Sequence, residues 1–456
     1  MKISNVRLGF ATNSSSSHSI VVLPKGVSAP LGFDVIEGEY GWESFVLKNQ
    51  QDKLSYLAAA VGSSLLEFYG EDLTEIIMRE WFHGIPWSKG WYIDHNSAIE
   101  IPHDPITKQV SQLFVKDFSR FMSRKDVVVL GGNDNSDRRD FEEYYQYEVD
   151  LPRGWNLKWY AQKSGDWWTM FCVETGAKMR FSFEESPRDL WRSVYPELID
   201  FKITDYCPFD CPFCYQDSNR HGIHASLSTI ESYLEMMSNS GVFEIAFGGG
   251  EPTLHPDFVK ILRKTRGLGI VPNFTTKVTP EHWSSDLLQA VMEVVGGVAV
   301  SVGSTWEVGK LKAAEVLYGL RGKISAHFVV GAHPDWRLES VIKSCAENEI
   351  PLTLLGFKKV GRGKDPQPQT INPSVLHKGW RLSVDTAFVE QYVDVIEKDG
   401  IPDLLVVPGE GRFSMYIDAV SQRAGISSYH SDLVEFEPQH WTDLTDIWVI
   451  LDEYVN

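Results

Sequence analysis

Apolar residues change their spacing twice along this chain of 456 residues. In the first third they recur at three- and four-residue intervals in "ESFVLKNQQDKLSYLAAAVGSSLLEF" and "EDLTEIIMREWF", the period of amphipathic helices. "GWYIDHNSAIEIP" reads as a hairpin and "DVVVLGG" as a short buried strand. Around residues 155 to 184 the pattern shortens to strand-length runs. "LKWYAQ", "WWTMFCV" and "KMRFSF" are separated by the turn sequences "KSGD" and "ETGA", which predicts a three-strand meander. Its tryptophans suit a sheet with one face against a larger body.

From Glu197 the rhythm becomes strand, loop, helix, repeated. Strands are expected at "LIDFKIT", "FEIAFGG", "VPNFTT", "GVAVSVG", "KISAHFVV" and "LTLLGF". Helical stretches such as "DFVKILRKTRG", "PEHWSSDLLQAVMEVV" and "DWRLESVIKSCAENE" lie between them. Such a run predicts a parallel sheet with helices outside, curved into a partial (β/α)6 barrel whose reactive face is the C-terminal ends of its strands. The expected α/β organisation has four parts. They are an N-terminal α+β domain (1–150), a bridging β-meander (151–196), the partial barrel (197–363) and a small C-terminal extension (364–456). The extension opens on the polar "GKDPQPQTINPS" and continues through a helical "VDTAFVEQYVDVIEKDG".

Composition narrows the setting. A hydrophobic content of 43% with 23% charged residues describes a folded chain. No apolar run approaches the roughly 20 residues of a membrane span. The opening "MKISNVRLGFATNSSSSHSIVV" lacks the apolar core of a signal peptide, so a cytoplasmic protein and no membrane partner are expected. Sixty-two acidic against 43 basic residues give a net charge of −19, which disfavours a nucleic-acid polymer as partner. Five cysteines in so long a chain do not make a disulfide scaffold. They point to metal or redox chemistry in a reducing compartment.

Three of the five lie together in "TDYCPFDCPFCYQ", as Cys207, Cys211 and Cys214, with the spacing C-x3-C-x2-C. Thiolates are soft ligands that suit iron–sulfur clusters or zinc. A ferredoxin-type run supplies four cysteines, so a cubane held by three keeps one iron open to a reacting molecule. Pro208 and Pro212 keep the loop from continuing as a helix. The alternative is a structural zinc site in which His221 or His224 completes a Cys3His set, a non-enzymatic binding module.

The loop, with Phe213 just before its third cysteine, resembles the signature of the radical S-adenosylmethionine (radical SAM) superfamily. A second matching segment, "GGGEP" (Gly248 to Pro252), ends the next strand. The resemblance covers 197 to about 363. It implies a single [4Fe–4S] cluster on Cys207, Cys211 and Cys214, and S-adenosylmethionine bound at the open iron. It also implies reductive cleavage of that compound to a 5′-deoxyadenosyl radical, which takes a hydrogen atom from a substrate. Gly249, Gly250, Glu251 and Pro252 match the segment that binds the methionine amino group, glycine allowing close approach and the carboxylate pairing with the ammonium. Tyr215 matches a position used for adenine contacts, and Ser301 or Ser304 one that touches the ribose or the methionine carboxylate. Val330 and Gly331 are candidates for the adenine side, and Lys277, Lys310 or Lys312 for the methionine carboxylate. A reducing partner such as flavodoxin or ferredoxin is implied.

The substrate is less legible. The basic "LLGFKKVGRGK", with Lys358, Lys359, Arg362 and Lys364, is a candidate anion holder on the reactive face, Arg362 first among them. "GEGRFSMYIDAV" faintly resembles the C-terminal strand pair of peptide-modifying radical SAM enzymes, but without the cysteines that bind their auxiliary clusters. Cys172 and Cys345 are candidate thiols for quenching a substrate radical, although buried cysteine is common in cores. The serine-rich "GFATNSSSSHS" is either a polar loop leading into a strand or a cover for the site. The leading expectation is a radical SAM enzyme acting on a peptide or protein side chain, presented by strand addition at the meander's edge. The alternative is a small metabolite, nucleotide or nucleobase held near Arg362.

Overall fold

The computed structural model describes residues 2–7, 16–22, 39–40, 45–85, 87–88, 92–93, 115–125, 127–133, 159–173, 176–182, 188–365, 382–394 and 409–455. They fall into two compact units, residues 1–189 and 190–456.

The first unit holds nine described strands: β1 (Lys2–Arg7), β2 (Ser16–Val22), β3 (Glu39–Tyr40), β4 (Phe45–Leu47), β5 (Tyr92–Ile93), β6 (Val127–Asn133), β7 (Trp159–Ser164), β8 (Trp167–Cys172) and β9 (Lys178–Ser182). The last three form the antiparallel meander, Gly165 turning at φ 61° between β7 and β8. A fourth strand, β1, pairs antiparallel with β9, a union of distant segments that no local pattern announces. One of the two edges expected to accept an added strand is therefore occupied. β2, β6 and β4 make a second antiparallel sheet, and β3 pairs with β5.

The two helices expected between residues 43 and 82 are one, α1 (Gln50–Trp81), and its first apolar residues form β4 instead. Asn49 caps it, accepting from the Asp52 amide at 2.8 Å. Gly70 is the only break between the two patterned stretches. An interior glycine costs about 1 kcal/mol against alanine, which is less than nucleating a second helix. Leu57, Val61 and Leu65 of α1 share a core with Val127, Val129, Trp168, Phe181 and Cys172. Of the hairpin expected in "GWYIDHNSAIEIP", only Tyr92 and Ile93 lie within the described residues. Residues 9–15 of the serine-rich segment lie outside them too, while Ser16 to Ser19 already belong to β2.

The second unit is built on one ten-stranded sheet. The six expected strands are β10 (Leu198–Thr204), β11 (Glu244–Gly249), β12 (Val271–Thr276), β13 (Val298–Ser301), β14 (Ile324–Val329) and β15 (Leu352–Leu355). Each pairs in parallel with the next. Helices α2 (Leu227–Asn239), α3 (Phe258–Gly267), α4 (Ser285–Glu293), α5 (Thr305–Leu317) and α6 (Asp335–Glu347) connect them. Ser226, Ser284 and Ser304 cap α2, α4 and α5 with their hydroxyls. This is the partial barrel that the strand–helix repeat predicts.

Residues beyond 363 enter the same sheet. β16 (Leu382–Val384) extends it beside β15, and β17 (Ser414–Asp418) lies parallel to β10 on the opposite side. β18 (Arg423–Gly425) and β19 (Val434–Glu435) follow antiparallel, so "GEGRFSMYIDAV" opens a strand pair. Alternation divides the sheet's faces. Ile199, Phe201, Ile203, Phe247, Phe274, Phe328, Met415 and Ile417 belong to the large hydrophobic core. Asp200, Lys202, Thr204, Asn273, Ser301, His327 and Asp418 alternate with the core-facing residues and line the polar side of their strands.

Candidate functional site

The cysteine loop begins where β10 ends. Thr204 turns the chain, its hydroxyl accepting from the Tyr206 amide at 3.0 Å and lying 2.8 Å from His224 Nδ1. The loop returns beside its own stem: the Cys207 amide donates to Asn219 O at 3.0 Å and the Asp205 amide to Ile223 O at 2.8 Å. Asp210 and Asp217 take left-handed φ angles of 54° and 52°, uncommon for non-glycine residues. The three thiols are partly buried. Burial pushes the Cys207 thiol up, a backbone hydrogen bond at Phe209 draws it down, and Glu251, Cys214 and Cys211 add to the rise.

The glycine-rich segment after β11 is seated directly on that stem. The Gly250 amide donates to Thr204 O at 2.7 Å and the Glu251 amide to Tyr206 O at 2.8 Å. A Cβ on Gly249, at φ 112°, would stand 2.3 Å from Thr204 O, and one on Gly250 2.1 Å from Tyr206 O. These two glycines are required by the protein's own backbone. A Cβ at Gly248, by contrast, would meet nothing within 4 Å. Pro252 is buried and opens a short 3-10 turn.

Glu251 has a structural task besides its expected part. Its carboxylate, 2% exposed, accepts from Thr253 Oγ1 and Thr276 Oγ1, each at 2.6 Å, from the Lys277 amide at 3.0 Å and from the Thr253 amide at 3.3 Å. Three of these donors fall on Oε1 and only the Lys277 amide on Oε2. The side chain braces β11 against β12, and its Oε2, which takes only the Lys277 amide, keeps an acceptor site for an ammonium.

Lys277, held in place by that brace, turns its ammonium to the cysteines and donates to Cys211 Sγ at 3.2 Å. It also lies 5.7 Å over the Phe209 ring. Of the three lysines considered for this region it alone reaches the loop. Lys310 is held by Glu281 at 3.2 Å and Trp306, and Lys312 by Glu315 at 2.7 Å. Ser304 is spent as the α5 cap, whereas Ser301 ends β13 opposite His327. Val330 is buried in the hydrophobic core and does not face the polar side.

Arg362 is corrected more sharply. Its guanidinium donates to Cys211 O at 3.1 Å, Ser218 O at 2.9 Å and Asp217 Oδ1 at 3.0 Å, and its amide to Cys214 O at 2.9 Å. Gly361 packs so tightly on this loop that a Cβ there would lie 2.4 Å from Tyr215 O. The segment expected to hold a substrate anion instead clamps the cysteine loop from outside, and a planar five-donor fork suits that work better than a lysine would. Both candidate thiols lie in hydrophobic cores. Cys345 is 1% exposed and burial pushes it up to about 12, which leaves it protonated; Cys172 is buried in the first unit.

Sequence reasoning named Lys358 and Tyr215 but missed the other groups around them. The Lys358 ammonium sits 4.5 Å from the Tyr215 ring and 4.7 Å from that of Tyr429, a cation–π sandwich. Tyr429 donates to Glu410 at 2.9 Å, and burial pushes that carboxyl up to about 7. Burial raises Asp200 and Asp385 as well, against the opposing pull of Lys358. Burial and then Lys358 hold His327 down to about 4.

What the loop can hold follows from its donors. Among the described residues, no three His, Cys, Asp or Glu side chains converge as a single ion requires. Of the two histidines considered for zinc, His224 is engaged by Thr204 through Nδ1, and His221 is exposed. Three thiols on one loop, braced by Arg362 and faced by a cation, suit a multinuclear group that accumulates negative charge.

Comparison with known proteins agrees with this reading of the loop. Residues 201–302 match the family model of the Radical SAM superfamily. The PqqA peptide cyclase of Rhodopseudomonas palustris is 30% identical over 83 residues, 18% of this chain and 22% of the cyclase. That of Gluconobacter oxydans is 31% identical over 77 residues, 16% of this chain and 22% of the cyclase. The alignment thus spans about a fifth of these curated relatives. Among solved structures, Streptococcus suis SuiB superposes with a TM-score of 0.47 at 12% identity, over 64% of this chain and 86% of SuiB.

Proposed function

We propose that this chain, whose residues 201–302 carry a radical SAM domain, is an enzyme that modifies a peptide or protein side chain by radical chemistry. The observation that carries the reading is the junction of the two motifs. Main-chain bonds of 2.7 and 2.8 Å fix the glycine-rich segment against the stem of the three-cysteine loop. A [4Fe–4S] cluster with S-adenosylmethionine supplies, when bound, the reductive cleavage that yields a hydrogen-abstracting 5′-deoxyadenosyl radical. Cys207, Cys211 and Cys214 are the thiolates that hold the cluster, and Arg362 fixes their loop. Gly249, Gly250, Glu251 and Pro252 lie beside it for the methionine amino group, the Glu251 side chain also bracing β11 against β12. Tyr215, which follows the third cysteine, and Ser301, at the end of β13, are the candidates for the nucleoside. A low-potential protein such as flavodoxin or ferredoxin supplies the electron.

The peptide substrate is supported by the local similarity to PqqA peptide cyclases and by the strand pair that "GEGRFSMYIDAV" opens beside β10. The alternative of an anionic metabolite or nucleotide held by Arg362 loses its motivating residue, because that guanidinium is engaged with the cysteine loop. Anaerobic reconstitution followed by iron analysis and chromatography of the nucleoside products tests the proposal. About four irons per chain and reductant-dependent release of 5′-deoxyadenosine are expected, and Cys211→Ala abolishes both. Stoichiometric zinc, or nucleoside release that survives Cys214→Ala, overturns it.

A further inference from the structure

Lys277 is placed unlike Lys202, the lysine of β10 on the second unit's polar side. Lys202 is neutralised by Asp205 at 2.5 Å and Asp418 at 3.0 Å. Among the described residues, no carboxylate lies within ion-pair distance of the Lys277 ammonium, which instead donates to Cys211 Sγ at 3.2 Å. The position is built. Glu251, itself buried, takes the Lys277 amide at 3.0 Å and the Thr276 hydroxyl at 2.6 Å, which fixes the backbone from which the side chain reaches the sulfur. The Phe209 ring flanks the ammonium on the loop side.

We propose that Lys277 is a positioning residue that raises the reduction potential of the cluster held by this loop, through a charge-assisted N–H···S bond to Cys211. The inference rests on the cluster reading of the three cysteines. One electron enters from an external low-potential donor, no bond of the protein breaks, and the added negative charge is shared by the thiolate sulfurs. A fixed cation beside one of them stabilises the reduced form more than the oxidised one. Its partly buried setting keeps water from screening the effect away.

The test is an anaerobic redox titration of the reconstituted holoprotein with titanium(III) citrate, followed by electron paramagnetic resonance of the reduced cluster, without and with S-adenosylmethionine. Without it, Lys277→Met is expected to lower the reduced-to-oxidised ratio at a fixed potential by about tenfold, a shift of ~59 mV for a one-electron couple. Lys277→Arg, which keeps charge and donors, is expected to retain most of the wild-type value. Should the methionine variant take up too little iron to titrate, Lys277→Gln is measured against the same criterion. A neutral variant that titrates with the wild type overturns the proposal. So does one that shifts only when S-adenosylmethionine is present, which would assign the lysine to that molecule's carboxylate. Iron content and nucleoside release of the wild type decide the underlying functional reading separately.

Discussion

At Gly250 a single oxygen sets the constraint, because Tyr206 O occupies the place a side chain would take. Gly250→Ala is expected to destabilise the second unit by about 3 kcal/mol, since backbone on both sides must move. Gly248→Ala, with open space around its Cβ, is expected to change stability by no more than about 0.5 kcal/mol. Denaturant unfolding followed by tryptophan fluorescence separates the two; equal losses would remove the packing argument. The sequence motif marked these residues but not their separate roles. Gly249 and Gly250 serve the neighbouring loop, Glu251 a strand brace, and only Gly248 lines open space. Lys277 was legible as a candidate cation, yet its direction depends on a carboxylate 26 residues earlier. No periodicity carries that information.

Among the elements, the segment after β15 bears most on the cysteine loop. Arg362 replaces what a short loop with two prolines cannot supply for itself, a set of donors for the carbonyls of Cys211, Cys214 and Ser218. Arg362→Ala is expected to loosen the loop by about 2–4 kcal/mol and to lower iron retained after desalting several-fold. Arg362→Lys should recover only a minor part, because an ammonium cannot reproduce the fork. Iron per chain after anaerobic gel filtration is the measurement, and full recovery by lysine would contradict the clamp. Strand and helix positions in the barrel were readable because each apolar run is local and bounded. The misreadings have the opposite cause. β1 beside β9 and β17 beside β10 pair segments far apart in the chain. The single helix α1 extends through a glycine that a local rule treats as a stop.

For the molecule as a whole, pH acts through the buried groups near Lys358. Glu410 has an ordinary value of 4.5 and rises to about 7 in the fold, first through burial. Between those values the folded chain holds a proton that the unfolded chain has released, so stability from this group falls as pH rises through the window and is constant above it. His327, lowered to about 4, acts with the opposite sign: protonation favours the unfolded chain below about 6.5, and stability falls as the solution is acidified. Glu410→Gln should therefore flatten the decline in thermal midpoint between pH 5 and pH 7.5. An unchanged slope would show that the carboxyl does not titrate there.

β10 carries the cysteine loop at its end, and its two neighbours are β11, which follows soon after, and β17, which lies some two hundred residues downstream. During synthesis the strand must therefore wait, one side unpaired, until residues 414–418 have left the ribosome. Asp418, which with Asp205 neutralises Lys202 beneath the loop, arrives at the same moment. Until then the stem of the cysteine loop lacks one of its two flanking strands, so the seat of the loop is completed by the far end of the sheet.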